Sequence, residues 1–136
     1  MILVDSSVWI DYFRGARNLQ TEQLDLLLEQ GDADIGVADL VVFEVLRGFN
    51  SPRAQQEAQT MLLSIAVVEI GGISNAMNAA VLYRRLREQG RTVHSPIDVL
   101  LASYCMTHGH TLLHRDADFE SLKTLGGLDT WPHQPN

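Results

Sequence analysis

Four carboxylates stand where chemistry could use them, Asp5, Glu44, Asp98 and Asp116, with Asp118 as a fifth. Asp5 ends the apolar run Ile2-Leu3-Val4, and Asp116 and Asp118 follow the run Thr111-Leu112-Leu113-His114. Both runs read as short strands buried in a parallel sheet, whose ligand crevice opens beyond the carboxyl ends of its strands. Two unit charges about 4 Å apart repel by roughly 1 kcal/mol in water and by more in a lower dielectric, so clustered acids bind cations or keep protons. Oxygen donors with no accompanying histidine or cysteine motif suit a hard divalent ion such as Mg²⁺, which takes few carboxylates and completes its shell with water and phosphate oxygens. The chemistry open to that set is metal-assisted cleavage of a phosphodiester in nucleic acid.

Each acid also has a plainer explanation. Asp98 completes a capping box with Ser95, and Asp5 can cap the helix that follows it. Glu44 can be a solvated helix residue, while Asp116 and Asp118 can serve as turn and N-cap residues. No single acid is specific, so their order and context must decide.

Bringing such acids together requires strands alternating with helices. After Asp5-Ser6-Ser7 the amphipathic stretch to Phe13 reads as a helix, and Leu19 to Leu28 as a second, stopped by Gly31. A strand follows over 34–37. Asp39 is placed to cap a helix with the apolar face Val42, Val45, Leu46 and Phe49, Glu44 lying on a different side. Ser51-Pro52 opens another helix through Leu62, and 66–70 reads as a third strand. Gly71-Gly72 breaks it, and Ser74 opens a long helix to Gly90. Ser95-Pro96 starts a helix to Gly109, followed by a strand over 111–114. Gly126-Gly127 precedes a short last strand near Leu128–Trp131, and 132–136 reads as a frayed tail. The expected class is α/β in three layers, a central parallel sheet of four to five short strands flanked by helices.

At 136 residues, with 46% apolar and 20% charged residues, the chain reads as one globular domain over 1–136. It carries no repeat or low-complexity tract. The single Cys105 cannot form an internal disulfide and reads as a small core residue, which fits a reducing cytoplasm. No basic leader region is present and no apolar run nears the roughly 20 residues that span a bilayer, so a soluble, cytoplasmic protein is expected. His94, His108, His110 and His133 show no zinc spacing with a cysteine pair and read as surface or loop residues.

The net charge of -7 argues against a protein that coats nucleic acid by bulk electrostatics, but not against an enzyme. Arg84, Arg85, Arg87 and Arg91 are a solvated helix face in the plain reading, some of them pairing with Glu88. In the functional reading Arg14, Arg47, Arg84 and Arg115 border the pocket and hold RNA phosphates.

The segments LVDSSVWIDYFRG, VVFEVLRGF, SPIDVLLASY and LLHRDADF, in this order and spanning nearly the whole chain, resemble PIN-domain proteins of the VapC toxin type. Those proteins are the ribonuclease half of bacterial and archaeal toxin-antitoxin pairs. The resemblance implies a PIN-like fold whose acidic pocket binds Mg²⁺ or Mn²⁺ and hydrolyses RNA phosphodiesters, leaving a 5′-phosphate and a 3′-hydroxyl. It implies catalytic roles for Asp5, Glu44, Asp98 and Asp116, with Asp5, Asp98 and Asp116 on the metal and Asp118 in support. Ser6 or Ser7 matches the small hydroxyl residue that such proteins hold near the site. His114 departs from the pattern, since Thr, Ser or Asn is usual there. A neutral imidazole can replace the hydroxyl's hydrogen bond, touch substrate or metal, or pack behind the site.

The implied partners are RNA, a cognate antitoxin whose C-terminal segment covers the acidic groove with a basic side chain, and a second copy of the chain, as a homodimer or within a larger hetero-oligomer with the antitoxin. Trp9, Phe13 and Phe49, if exposed, are candidate antitoxin contacts; the other reading of each is core. The alternative is a catalytically silent PIN-like interaction module, disfavoured by retention of all four acids. A phosphatase of the strand-end aspartate type is disfavoured because Asp5-Ser6-Ser7 lacks a second acid two residues on.

Overall fold

The structure is a computed structural model and describes residues 1–31, 34–93 and 95–131. In chain order its elements are β1 (Ile2–Val4), α1 (Ser6–Phe13), α2 (Leu19–Gln30), β2 (Ile35–Ala38), α3 (Asp39–Leu46) and α4 (Pro52–Leu62). They continue with β3 (Ala66–Val68), α5 (Ile73–Glu88), α6 (Pro96–His108), β4 (Thr111–Leu113), α7 (Asp118–Gly126) and β5 (Asp129–Thr130). The strands form one sheet in the order β3-β2-β1-β4-β5, every pair parallel. This is the expected α/β class, with β1 at the centre.

The central strands are apolar because helices cover them. Leu3, Val4, Val37, Leu112 and Leu113 are fully buried. The register sets Leu3 beside Leu112 and Val4 beside Leu113. The Asp5 amide then donates to the Leu113 carbonyl at 2.9 Å, so the chain leaves β1 and β4 at the same level. Gly36 in β2 is required by close approach: a Cβ there would stand 3.0 Å from the Ala66 carbonyl oxygen and 3.2 Å from a Leu3 methyl. Cys105 is free and buried, and burial pushes its thiol up to about 12, as expected of an inert core residue. No helix among the described residues is long and apolar enough to cross a membrane.

Several local expectations are corrected. Asp39 is the first residue of α3 rather than its cap, and its Oδ1 accepts the Ile70 amide at 2.8 Å, from 31 residues away. Gly72, not Ser74, is the N-cap of α5. Ser95 does precede α6, but its side chain makes no capping bond, so the box with Asp98 is not formed. Helix α7 is an element beyond those expected, and Asp118, one of the two acids open to a turn or N-cap reading, is its first residue, with Ala117 as the N-cap. Its first turn carries Asp118 and Glu120 against the helix dipole, Phe119 and Leu122 are buried, and Gly127 ends it with φ 73°. Strands β2, β3 and β4 differ from the expected spans by one or two residues at their ends. The supposed tail at 132–136, His94 and His133 lie outside the described residues.

Candidate active site

Asp5 stands one residue beyond β1 and is the N-cap of α1. Its Oδ2 accepts the Ser7 amide at 3.1 Å and the Ser7 hydroxyl at 2.6 Å. The same hydroxyl accepts the Arg115 amide at 3.1 Å, tying the exit of β1 to the exit of β4. Asp5 is 2% exposed, and its second oxygen, Oδ1, is buried with no hydrogen-bond partner among the described residues. Burial pushes the Asp5 carboxyl above its ordinary range and the nearby Asp116 adds to this, against the opposing Ser7 bonds.

Glu44 projects from α3 and is half-buried. Its carboxyl is also raised, by burial first and by Asp5 second, while a hydrogen bond from the Ser6 side chain and the charge of Arg47 act the other way. One of its oxygens, Oε1, is buried without a partner among the described residues. The expectation that Glu44 turns away from the apolar face of its helix therefore has a concrete counterpart, a face directed at Asp5.

Asp98 is the third residue of α6 and is buried. Burial pushes its carboxyl up to about 8, helped in turn by Asp5, Asp116, Glu44 and Asp118. Freed from the capping box, it joins the turn that follows β4. There the Asp116 Oδ1 accepts the Asp118 amide at 3.0 Å, and the Asp116 amide donates to His114 Nδ1 at 3.1 Å. Carboxylate oxygens of Asp98, Asp116 and Asp118 all lie within 4.8 Å of one another.

The structure thus gathers all five acids beyond one end of the sheet. The closest group contains Asp118, which the sequence placed only in support, and does not include Asp5, which adjoins it electrostatically. The reason is local: the turn after Asp116 folds two residues back on themselves, and strand-end position alone does not reveal it. The donor set fits a hard divalent cation. It is all carboxylate oxygen, two members hold a buried oxygen without a partner among the described residues, and the carboxyls of Asp5, Glu44 and Asp98 are all raised, with Arg47 offsetting only part of the charge at Glu44.

The expected cationic border is uneven. Arg115 Nη1 holds Asp11 Oδ2 at 3.1 Å, and Asn18 Nδ2 donates to the same oxygen at 3.2 Å. Asp11 was not singled out from sequence, because its partner is 104 residues away. Arg47 lies over the Phe43 ring at 5.4 Å, beside Glu44. Arg84 sits 3.8 Å from Glu88 on the solvent side of α5, as the plain reading expected. Arg14 lines a cavity of about 180 Å³ with Ile10, Phe13, Val45 and Phe49. Trp9 is fully buried and so is core, not a contact surface, whereas Phe13 and Phe49 are half-buried.

A family model described as PIN domain matches residues 2–125. A protein named VapC ribonuclease from Mycobacterium bovis is 29% identical over 128 residues, covering 94% of this chain and 96% of that protein. Ribonuclease VapC11 of Mycobacterium tuberculosis matches with the same figures. Among solved structures, VapBC2 from Rickettsia felis, bound to a DNA fragment from its promoter, superposes with a TM-score of 0.75 at 17% identity, covering 97% of this chain and 100% of the other.

Proposed function

The chain belongs to the PIN-domain family, and on that premise we propose that it is a single-domain, metal-dependent endoribonuclease, the toxin of a toxin-antitoxin pair. Relatives named as VapC ribonucleases over almost their whole length support the activity. The observation that carries the reading is the convergence of five carboxylates from four separate segments, with Asp98 pushed up to about 8 by burial and by the other four.

Asp98, Asp116 and Asp118 would hold the cation, with Asp5 and Glu44 as the adjoining wall, and Mg²⁺ or Mn²⁺ is the proposed ion. When bound, such an ion acidifies water and offsets the charge of a phosphodiester. The chain's own groups prepare the place. Ser7 fixes Asp5 in one rotamer through two hydrogen bonds, and Ser6 restrains Glu44. Burial of Asp98 keeps bulk water from screening the site. Arg115, Arg47, Arg14 and Arg84 are the proposed contacts to the RNA backbone.

A cognate antitoxin completes the reading, supported by a solved neighbour that is a toxin-antitoxin complex, and a cytoplasmic location is proposed with it. An acidic pocket of this kind is complementary to a basic side chain of such a partner. A homodimer is proposed through α5, where Ile73, Met77 and Val81, four residues apart, are all at least half exposed. Residues 73–83 carry no charge that would repel a second copy of a chain with net charge -7. Light scattering should give twice the chain mass, and half that value for Met77→Lys.

The deciding experiment is cleavage of RNA with and without Mg²⁺ or Mn²⁺. Asp98→Asn and Asp5→Asn should keep the circular dichroism of the parent and lose more than the roughly 10–100-fold that disturbing an outer-shell group costs at metal sites. Parent-like cleavage by both variants would remove the proposal.

A further inference from the structure

We infer that His114 is the positioning residue of this site: its Nδ1 accepts a hydrogen bond from the Asp116 amide and so aims the Asp116 and Asp118 carboxylates at Asp98. The inference deepens the nuclease reading above and rests on it for the identity of the acids as metal ligands. The segment 114–118 leaves the sheet after Leu113, so its amides must find acceptors outside the strand ladder. The Asp116 amide finds His114 Nδ1 at 3.1 Å. With that amide fixed, the Asp116 carboxylate bends toward the next turn, where its Oδ1 takes the Asp118 amide at 3.0 Å and starts α7. Two successive hydrogen bonds therefore run from the imidazole through the Asp116 amide and carboxylate to the Asp118 amide, fixing the backbone of both residues whose carboxylates stand within 4.8 Å of Asp98.

The imidazole is itself rigidly held. It is 1% exposed, and its ring lies 4.7 Å from the Phe119 ring, centroid to centroid. A nitrogen that accepts a hydrogen bond carries no proton, so Nδ1 is the bare nitrogen of the ring. Residue type and position then separate two roles that are usually confounded. If the ring merely fills space against Phe119, phenylalanine is the better substitute. If the acceptor matters, asparagine is better, because its Oδ1 is attached to Cγ as Nδ1 is in histidine.

The test uses both variants of the full chain. In the wild type without added metal, NMR should show coupling across the hydrogen bond between the Asp116 amide nitrogen and His114 Nδ1, and slow exchange of that amide. His114→Asn should keep the Asp116 amide protected and bind Mn²⁺ within about threefold of the parent, whereas His114→Phe should expose the amide and weaken Mn²⁺ binding by roughly 10–100-fold. Cleavage should follow the same order, with the loss in kcat rather than KM. Absence of the coupling in the wild type, equal behaviour of the two variants in either direction, or a Phe variant that outperforms Asn would overturn the inference. If the parent bound no Mn²⁺ and cut no RNA, the nuclease reading would fail, while coupling and exchange would still decide the role of His114 in the turn.

Discussion

Asp98 concentrates the electrostatic cost of the site in one side chain. Its carboxyl is pushed from 3.8 up to about 8, first by burial and then by four neighbouring acids. Below the lower value it is protonated in both the folded and unfolded chain. Between the two values the unfolded chain ionises while the fold keeps the proton, so stability in the absence of metal falls as pH rises and levels off once the folded group ionises as well. In chelator, the melting temperature of the parent should therefore drop between about pH 5 and about pH 8.5, and the drop should be smaller for Asp98→Asn, which has no proton to lose. Mn²⁺ should restore the parent at the upper pH by favouring the ionised form. Thermal melts decide this, and identical slopes for parent and variant would mean that Asp98 does not titrate as its surroundings demand. The same residue shows where sequence stops being informative. Ser95-Pro96-Ile97-Asp98 is equally a capping box and an active-site segment, and only the missing Ser95 side-chain bond separates them.

At the scale of elements, the helices that carry Glu44 and Asp98 are joined through the backbone of one residue, Ile70, and the side chain of Asn75. The Ile70 amide donates to Asp39 Oδ1 at the start of α3, and the Ile70 carbonyl accepts Asn75 Nδ2 at 2.7 Å. The same Asn75 nitrogen donates to the Leu100 carbonyl of α6 at 3.0 Å. Asn75 is buried, so Asn75→Ala should cost about 1–3 kcal/mol, the penalty of leaving a buried acceptor without its donor. Urea denaturation measures it, and a loss below about 0.5 kcal/mol would show that water replaces the amide. This link was invisible in sequence because its partners are 25 and 31 residues apart in the chain. What local chemistry encodes was legible in part: Ser51 caps α4 through the Ala54 amide and Gly109 ends α6 in the left-handed conformation, as read from the sequence, whereas the capping box of Asn18 and Thr21 on α2 emerges only in the structure. Helix α7 is less legible because only two of its positions, Phe119 and Leu122, are buried among the described side chains, too few to set a helical period beside the acids.

For the whole molecule the difficulty is charge. A chain of net -7 with acids at its mouth repels RNA at long range, so affinity must come from cations placed close to the path of the strand. On the proposed reading bound divalent ions would supply part of this, and Arg115 is the side chain proposed to supply more. It follows β4 beside the acids, its side chain is 55% exposed, and Asp11 holds its guanidinium at 3.1 Å without enclosing it. Because Asn18 also donates to that Asp11 oxygen, the carboxylate keeps a partner if the guanidinium turns to a phosphate. Arg115→Ala should then weaken binding of a non-cleavable single strand and reduce the slope of log affinity against log salt by about 0.7, the value for one phosphate contact on single-stranded nucleic acid. Asp11→Asn should leave that slope unchanged, since it releases the arginine without removing it. Filter binding across a salt titration distinguishes the two variants. An Arg115→Ala slope equal to that of the parent would place the strand elsewhere on the surface, and the remaining proposed contacts, Arg14, Arg47 and Arg84, would then have to account for the path.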